Sequence, residues 1–398
     1  MMKLIQALTP LLFTTGLLFA NLEKELQTQF ILAASGDTIT IPKGHHKIQG
    51  TLSIEGKENL VIQGVGMDVS ILSFSNQSEG AQGISITNSK NITLEKFTIQ
   101  DSKGDAIKAQ YTDGIIFRHV KVEWTGGPKE TKGAYGLYPV QCENVLIEHS
   151  ISIGASDAGI YVGQSNNIVV RYNEAFENVA GIEIENSYNA EVYENYSHGN
   201  TGGILVFDLP DLLQKQGGNV RVYNNRIESN NLFNFAPKGN IVGKVLPGTG
   251  IMILACSGVH IFGNTIRNNK SIGTGIVSYF MTEEAIKDSL YNPYTADIHI
   301  YNNVYDRWPG FPELGFDIGQ LLAVKYGRNT PDIIYDGMQD PEIQAGLCIQ
   351  NNTDARFTDL DIEHNFDSWY SPFVANFSED MSKHNCGAQH PLISKSKK

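Results

Sequence analysis

Six side chains that can transfer protons or carry charge follow a regular pattern through the middle of the sequence. Tyr161 and Glu183 each stand two positions after the glycine of a Gly-Ile pair, and these two pairs are 22 residues apart. If such units stack in layers, Tyr161 and Glu183 come about 5 Å apart, whereas two glutamates separated by one residue on a strand lie roughly 7 Å apart. The six candidate catalytic residues are Lys108, Tyr138, Tyr161, Glu183, Glu185 and Asp208.

Two kinds of chemistry fit this pattern. A carboxyl pair at about 7 Å suits an inverting glycosidase, which uses one acid and one base. In a lyase or epimerase, Tyr138 or Tyr161 would exchange the proton beside a uronate carboxylate while Lys108 neutralises that carboxylate. The same face and its turns supply the predicted substrate-binding residues Tyr111, Gln141, Gln164, Asn186 and Phe207.

A structural explanation of the same residues stays open beside the functional one. Stacking by itself produces ladders of like residues, and tyrosine is a favoured strand residue. An inserted loop that covered this face would turn its outward side chains into core.

A repeat of 22 or 23 residues must position these side chains. Gly-Ile or Gly-Leu pairs begin at seven positions, and apolar residues alternate with other residues after each pair, as in β-strands. A unit this short cannot bury its apolar face alone, but a stack of such units can. The pattern predicts an all-β, single-stranded right-handed parallel β-helix with three short strands per coil. The pairs start at Gly83, Gly136, Gly159, Gly181, Gly203, Gly250 and Gly275.

Asparagine occupies the turns of this repeat in two columns. Side chains that stack in a turn column can hydrogen-bond one another and the turn backbone, which favours Asn there. The first column is Asn144, Asn167, Asn189 and Asn219, and the second is Asn173, Asn195, Asn225, Asn264 and Asn303.

The ends of the stack are open sheet edges that need covering. Leu22, Leu26 and Phe30 recur every four residues and predict an amphipathic capping helix near 22–34. The β-helix is predicted over 21–305, and residues 306–398, where the repeat is lost, are predicted to form an irregular C-terminal cap or flank. The insertions are expected to be projecting loops at 125–135, 209–218 and 231–248.

The four cysteines divide into two pairs. Cys142 and Cys256 share a column but lie about 19 Å apart, at roughly 4.8 Å per coil, so each is predicted to be a buried free thiol. Cys348 and Cys386 remain and are predicted to form a disulfide, which would stabilise the fold by about 4 kcal/mol.

The N-terminus and the charge constrain location and partners. Residues 1–20 read as a secretory signal, with Lys3 before a mostly apolar run and Ala20 at a plausible cleavage point. We therefore expect an exported protein, periplasmic or secreted, without a membrane span after cleavage; the alternative reading of this run is a membrane anchor. The net charge of −13 argues against nucleic acid as a partner.

Six blocks of the sequence carry a resemblance to known proteins: EWTGGP (123–128), GAYGLYPVQC (133–142), SDAGIYVGQS (156–165), VAGIEIENS (179–187), TGGILVFDLP (201–210) and FGNTIRNN (262–269). Together they resemble a family of exported bacterial proteins with right-handed parallel β-helix repeats. The resemblance implies export and the β-helix fold, and it suggests as a partner the second exported protein that is often encoded beside such proteins, but it supplies no activity. The broader fold class includes carbohydrate lyases, epimerases and hydrolases, which is an analogy of fold alone.

Three functions are consistent with these residues. The first is a polysaccharide-modifying enzyme that uses the face from Lys108 to Asp208. The second is a non-catalytic binding or scaffold protein of the cell envelope. The third is a periplasmic accessory factor for metalloenzymes, which finds little support because His, Met and Cys do not cluster in the sequence. No metal site is predicted, and calcium is left open as a cofactor.

Overall fold

A computed structural model describes residues 14–340, 346–365 and 377–386, with side chains described from residue 22 onward. The described chain contains three α-helices and three 3-10 helices besides its strands. The α-helices are α1 (Thr14–Leu32), α2 (Asp317–Tyr326) and α3 (Ile362–Asn365), and the 3-10 helices are Ile241–Lys244, Tyr279–Thr282 and Met381–His384.

The strands are short, as the repeat requires. In chain order they are β1 (Thr38–Thr40), β2 (Gly44–Lys47), β3 (Leu52–Glu55), β4 (Glu58–Gln63), β5 (Ser70–Ser73), β6 (Ile84–Thr87), β7 (Lys90–Gln100), β8 (Ile107–Gln110), β9 (Asp113–Glu123), β10 (Tyr135–Val140), β11 (Glu143–Glu148), β12 (Ile151–Ile153), β13 (Ala158–Gly163), β14 (Asn166–Arg171), β15 (Glu174–Phe176), β16 (Ala180–Glu185), β17 (Tyr188–Tyr193), β18 (Tyr196–His198), β19 (Gly202–Phe207), β20 (Gly218–Tyr223), β21 (Arg226–Glu228), β22 (Thr249–Leu254), β23 (Ser257–Phe262), β24 (Thr265–Arg267), β25 (Ile272–Val277), β26 (Ala296–Tyr301), β27 (Val304–Asp306), β28 (Ile333–Tyr335), β29 (Leu347–Gln350) and β30 (Phe357–Asp359).

These strands form two sheets that run the length of the described chain. Sheet I contains 11 strands, one from each coil, and sheet II contains 19 strands, which are the second and third strands of the coils. Equivalent strands of successive coils pair in parallel, as β13 does with β10 and with β16. The predicted parallel β-helix with three strands per coil is therefore confirmed.

The interior is filled by the side chains that stand one and three residues after the repeated glycine of each coil. Ile160, Ile182 and Ile204 stack in register on adjacent strands of sheet I, and none of them is exposed. Since every coil contributes such residues, burial that one coil could not achieve becomes continuous along the stack.

The buried asparagine column is a continuous ladder, whereas the exposed column is interrupted after Asn167, because Asn189 donates to Asn166 instead. In the buried column, the Nδ2 of Asn173 donates to Oδ1 of Asn195, and the Nδ2 of Asn195 donates to Oδ1 of Asn225, each over 3.0 Å. The sequence analysis missed a second buried ladder at the next turn of the coil. It consists of Asn178, Asn200, Asn230 and Asn269.

The first coil is closed by the predicted capping helix. Leu26 and Phe30 of α1 are buried in the core. Glu23 accepts hydrogen bonds from the backbone N–H groups of Gln49 and Gly50, and Gln27 bonds both backbone groups of Ser53. Helix side chains thus satisfy backbone groups at the open edge. The signal peptide stays a prediction, and residues 1–13 lie outside the described residues.

The coils continue past residue 305, where the sequence analysis ended them. β28 pairs with β25, β29 with β26, and β30 with β28, all in parallel. The repeat is not visible there because residues between β27 and β28, including α2, separate the strands. Instead of forming only an irregular flank, this part of the chain adds strands to both sheets.

The cysteines pair as predicted. Cys348 and Cys386 form a disulfide with their Cα atoms 5.5 Å apart, whereas Cys142 and Cys256 are buried free thiols. Among the described residues, no helix is both long and apolar enough to cross a membrane.

Candidate functional site

The candidate catalytic residues lie on the outer surface of sheet I in the predicted register. Lys108 is the strand partner of Tyr138, and Tyr161 is the partner of Glu183. Leu205 and Met252 continue the column beyond Glu183. The next residue of the column, the strand partner of Met252, is Gly275, which was predicted to be the repeated glycine itself. The repeated glycine of that coil is therefore Gly273, two residues earlier than predicted.

Three insertions cover the middle and C-terminal part of this face. They are residues 209–217, 231–248 and 279–295, which we call the cover. Leu205 and Phe207 point outward from the sheet, yet both are buried in an apolar cluster with Phe235 and Val245 of the cover. The structural explanation left open by the sequence is thus correct for these two residues: an inserted loop turns this part of the face into a second core.

Four carboxyl groups are buried at the edge of this second core. Asp157, Glu183, Glu185 and Asp208 are each less than a tenth exposed. None of the ion pairs among the described residues includes any of the four. Burying a carboxylate without a cation is costly, and the usual response is protonation.

Hydrogen bonds hold three of these carboxyl groups in place. The hydroxyl of Tyr161 donates to Oε1 of Glu185 over 2.6 Å. Asn240, in the cover, donates to Oδ2 of Asp157 over 2.7 Å, and the backbone N–H of Gly217 donates to Oδ2 of Asp208 over 2.9 Å. One oxygen of Glu183 and one of Asp208 are buried without a hydrogen-bond partner.

Burial is the main cause of the altered acidity in this cluster. It raises the pKa of Glu185 to about 7, although the hydrogen bond from Tyr161 opposes the shift. It also raises the pKa of Asp157 to about 7, against the bond from Asn240, and that of Asp208 to about 7. Burial followed by repulsion from Asp157 and Glu185 holds the pKa of Glu183 well above its ordinary value. Acids with pKa values near 7 can both accept and release a proton at neutral pH.

Three tyrosine rings lie against one another beside the acids. The ring centroids of Tyr135, Tyr138 and Tyr161 are 4.4 to 5.0 Å apart. Burial raises the pKa of all three phenols, and the neighbouring carboxyl groups raise it further. They are therefore neutral hydrogen-bond donors at pH 7, and a role for Tyr138 or Tyr161 as the base requires a change on substrate binding.

A glycine makes the Tyr161–Glu185 contact possible. Gly163 is the strand partner of Glu185, and the ring of Tyr161 lies over it. A Cβ atom at position 163 would stand 2.3 Å from the Tyr161 hydroxyl oxygen. Any larger residue there would push the phenol away from the carboxyl group.

The other end of the site is open. Lys108 and Tyr138 are partly exposed, and the ammonium nitrogen of Lys108 lies 5.1 Å from the centre of the Tyr138 ring. Asp105 stands nearby; burial raises its pKa, and the charge of Lys108 partly offsets this. The outward residues of the preceding strands β6 and β8 are also partly exposed, so an open strip leads along sheet I to the covered acids.

The predicted binding residues divide between this strip and the cover. Tyr111 is 52% exposed, and Gln141 accepts a hydrogen bond from Gln110. Gln164 accepts from the backbone of Gln214 in the cover. Asn186 is buried and bonds the backbone of Leu209, so this residue and Phe207 hold the cover instead of lining an open groove.

Asp157 is not among the six candidate catalytic residues predicted from the sequence, and Tyr135, Asp105 and Asn240 were not singled out either. Asp157 stands directly before β13, and Asp105 two residues before β8, so their places in the coil could have drawn attention to them. No repeat position indicates Asn240, because an insertion carries it to Asp157 from 83 residues away.

Comparison with known proteins supports the fold. Residues 58–211 match the family model described as "Right handed beta helix region". The chain carries a right-handed parallel β-helix. No curated protein matches the chain in sequence.

Solved structures of similar fold include two enzymes from Azotobacter vinelandii. The A-module of mannuronan C-5 epimerase AlgE4 aligns over 83% of this chain and 90% of its own, with 15% identity and a TM-score of 0.51. The A-module of AlgE6 aligns over 84% and 91%, with 15% identity and a TM-score of 0.49. DFA-IIIase from Arthrobacter chlorophenolicus A6, without its lid, aligns over 85% and 94%, with 10% identity and a TM-score of 0.44. At 15% identity, the likeness to the AlgE4 module concerns the fold alone.

Proposed function

We propose that this protein binds an acidic polysaccharide along the open strip of sheet I and exchanges the proton on the carbon beside a uronate carboxylate. The observation that carries the proposal is the Tyr161–Glu185 pair, in which a phenol donates to a buried carboxyl group with a pKa of about 7. A similar fold in mannuronan C-5 epimerases adds support for a uronate polymer as the substrate class.

In this proposal, each end of the site has its own role. Lys108 is the cation at the open end, where it can hold the carboxylate of one uronate of the bound polymer. The reacting sugar lies nearer the cover, where the neutral tyrosine phenols can donate hydrogen bonds to its carboxylate and so stabilise the negative charge left by proton removal. The buried acids of sheet I then accept the proton. Its return to the opposite face of the sugar gives an epimerase, and loss of the bond to the next sugar gives a lyase.

Access to Glu185 requires movement of the cover. Tyr161 is only 4% exposed, and Asn240 links the cover directly to Asp157. Tyr138 is the partly exposed neighbour of Tyr161, so a sugar that follows the strip reaches this boundary first. If the sugar displaced Asn240, Asp157 would be uncovered while the rest of the cover still enclosed the substrate. Water would then be excluded from the reaction.

A second candidate, a non-catalytic glycan-binding protein, is favoured by the burial of Asn186 and Phe207. Both residues anchor the cover, and a cover that stays closed leaves only the strip from β6 to Tyr138 for a ligand. This function needs Lys108 and Tyr111 but not the acids.

Incubation with polysaccharides in D2O distinguishes the two functions. The panel contains mannuronate, galacturonate and glucuronate polymers and a neutral glucan, and NMR detects deuterium at C5 of the sugar. Deuterium at C5 is expected both from an epimerase and from an enzyme that removes and returns the proton on the same face. Ultraviolet absorbance detects the unsaturated ends that a lyase produces. We expect exchange or unsaturated ends with at least one uronate polymer and none with the glucan. If the protein binds a uronate polymer but neither deuterium exchange nor unsaturated ends appear, the catalytic proposal is contradicted and the binding function is favoured.

A further inference from the structure

A group of sulfur and nitrogen atoms lies on sheet II, away from the acids. His299 of β26 is the strand partner of Cys348 of β29. One ring nitrogen of His299 and the sulfur atoms of Cys348 and Cys386 all lie within 4.8 Å of one another. The sequence analysis found no such group because these residues are far apart in the chain and come together only when the last coils stack.

The surroundings of His299 resemble those of a metal-binding imidazole. Asp297 bonds Nε2 of His299 over 2.8 Å, and a carboxylate on one ring nitrogen commonly orients a histidine that binds a metal. His260 stacks on the other side, with ring centroids 4.4 Å apart, and its Nδ1 is buried without a hydrogen-bond partner.

The two sulfur atoms are now joined as a disulfide and cannot serve as thiolate ligands. Cys348 is buried, but Cys386 is partly exposed and lies just beyond the Met381–His384 helix, so it is the more accessible of the two sulfurs. Exchange with an external dithiol would form one external disulfide and leave two protein thiols. These thiols lose their protons when a metal binds.

We propose that His299, Cys348 and Cys386 form a redox-gated metal site that is closed as a disulfide and, after reduction by a dithiol, binds one Zn²⁺ or Cu⁺ ion. One imidazole and two thiolates form a soft ligand set that suits these ions better than calcium or magnesium. Reduction frees both sulfurs within 4.8 Å of the His299 nitrogen, so small side-chain movements bring all three ligands to bonding distance. Three protein ligands leave a fourth position for a water molecule or for cargo.

Cobalt titration of the reduced full-length protein tests the site. Co²⁺ replaces Zn²⁺ and gives a thiolate-to-metal absorption band that a histidine or carboxylate site lacks. Protein reduced with a phosphine under anaerobic conditions is expected to show this band at one Co²⁺ per chain, and oxidised protein is expected to show none. Zinc should displace the cobalt and abolish the band.

Variants separate this site from the other thiols. A Cys142→Ser/Cys256→Ser double variant should keep the band, because its remaining cysteines are those of the proposed site. His299→Ala and Cys348→Ser should each weaken Zn²⁺ binding at least about tenfold. His198→Ala, which removes a partly exposed histidine paired with Glu174, serves as the matched control.

Each result decides the proposal. Absence of the band in reduced wild-type protein would overturn it, as would a band that persists in Cys348→Ser or disappears in the Cys142→Ser/Cys256→Ser variant. Circular dichroism of the oxidised His299→Ala variant checks that its fold is intact, so that loss of metal binding reports the ligand.

Discussion

The two sheets each present a tyrosine that donates to a glutamate of a neighbouring coil, but the two pairs differ in their surroundings. On sheet II, Tyr223 donates to Glu191 over 2.9 Å, and Glu191 also forms an ion pair with Arg221. On sheet I, Tyr161 donates to Glu185 over 2.6 Å, and the charged group that acts on Glu185 is another acid, Asp208. Stacking creates such pairs wherever the side chains are outward neighbours. The sheet II glutamate is paired with a cation, whereas the sheet I glutamate has none and its pKa is raised to about 7.

The largest expected difference between the pairs is in activity. Glu185→Gln or Tyr161→Phe should lower the rate of deuterium exchange about 10²- to 10⁴-fold, the usual contribution of a positioned acid or base. Glu191→Gln and Tyr223→Phe make the same chemical changes on sheet II and should leave the rate within about threefold of wild type. Equal losses in both pairs would show that the sheet I variants act through the fold.

The pH dependence of stability should differ in the same way. The pKa of Glu185 is raised on folding, so between its ordinary value of about 4.3 and about 7 the folded protein binds more protons than the unfolded chain. The free energy of unfolding therefore falls as pH rises through this window, by on the order of 3 kcal/mol for this carboxyl group.

Chemical denaturation at pH 4.5, 6 and 8 measures this effect. Glu185→Gln should flatten the decline and stabilise the protein at pH 8, because an amide carries no charge to bury. Glu191→Gln makes the same chemical change beside a cation and is the control for the substitution itself. An unchanged slope in Glu185→Gln would mean that Glu185 is charged throughout this range.

A smaller effect is expected when the sheet I pair is separated without removal of either member. Gly163→Ala places a Cβ atom against the Tyr161 hydroxyl, and we expect exchange to fall about tenfold, equivalent to about 1.4 kcal/mol, as the phenol is displaced from Glu185. Gly275→Ala is the matched control on the same face, since its Cβ would meet only ordinary contacts at 3.5 Å or more. Similar rates for both variants would show that the hydrogen bond does not matter.

The smallest effect concerns the open end of sheet I. Lys108→Met keeps much of the side-chain length but removes the charge, and should weaken binding of a uronate polymer up to about tenfold, as expected for one partly exposed charge contact. Binding of the neutral glucan should not change. Lys121→Met, which removes a sheet II lysine paired with Glu123, provides the comparison in an affinity electrophoresis assay. Equal weakening by both variants would indicate a general charge effect.

The sequence predicted the coils and the order of residues on sheet I because both follow from a period of 22 residues. The register of Tyr161 with Glu183 and the buried asparagine ladder could be read directly from aligned repeats. The cover could not, because residues 231–248 have no counterpart in other coils and their packing on Leu205 and Phe207 depends on long-range contacts. The sequence consequently left open whether the acids were solvated, and the link from Asn240 to Asp157 was invisible.

The proposed function depends most on Glu185, which we expect to titrate near neutral pH because it is buried without a cation. The most direct measurement is a carbon-13 NMR titration of protein labelled at the glutamate side-chain carboxyl carbon, with the Glu185 signal assigned by its loss in Glu185→Gln. We expect a titration midpoint near pH 7 for this signal. A midpoint near 4.3, the ordinary value for glutamate, would contradict it.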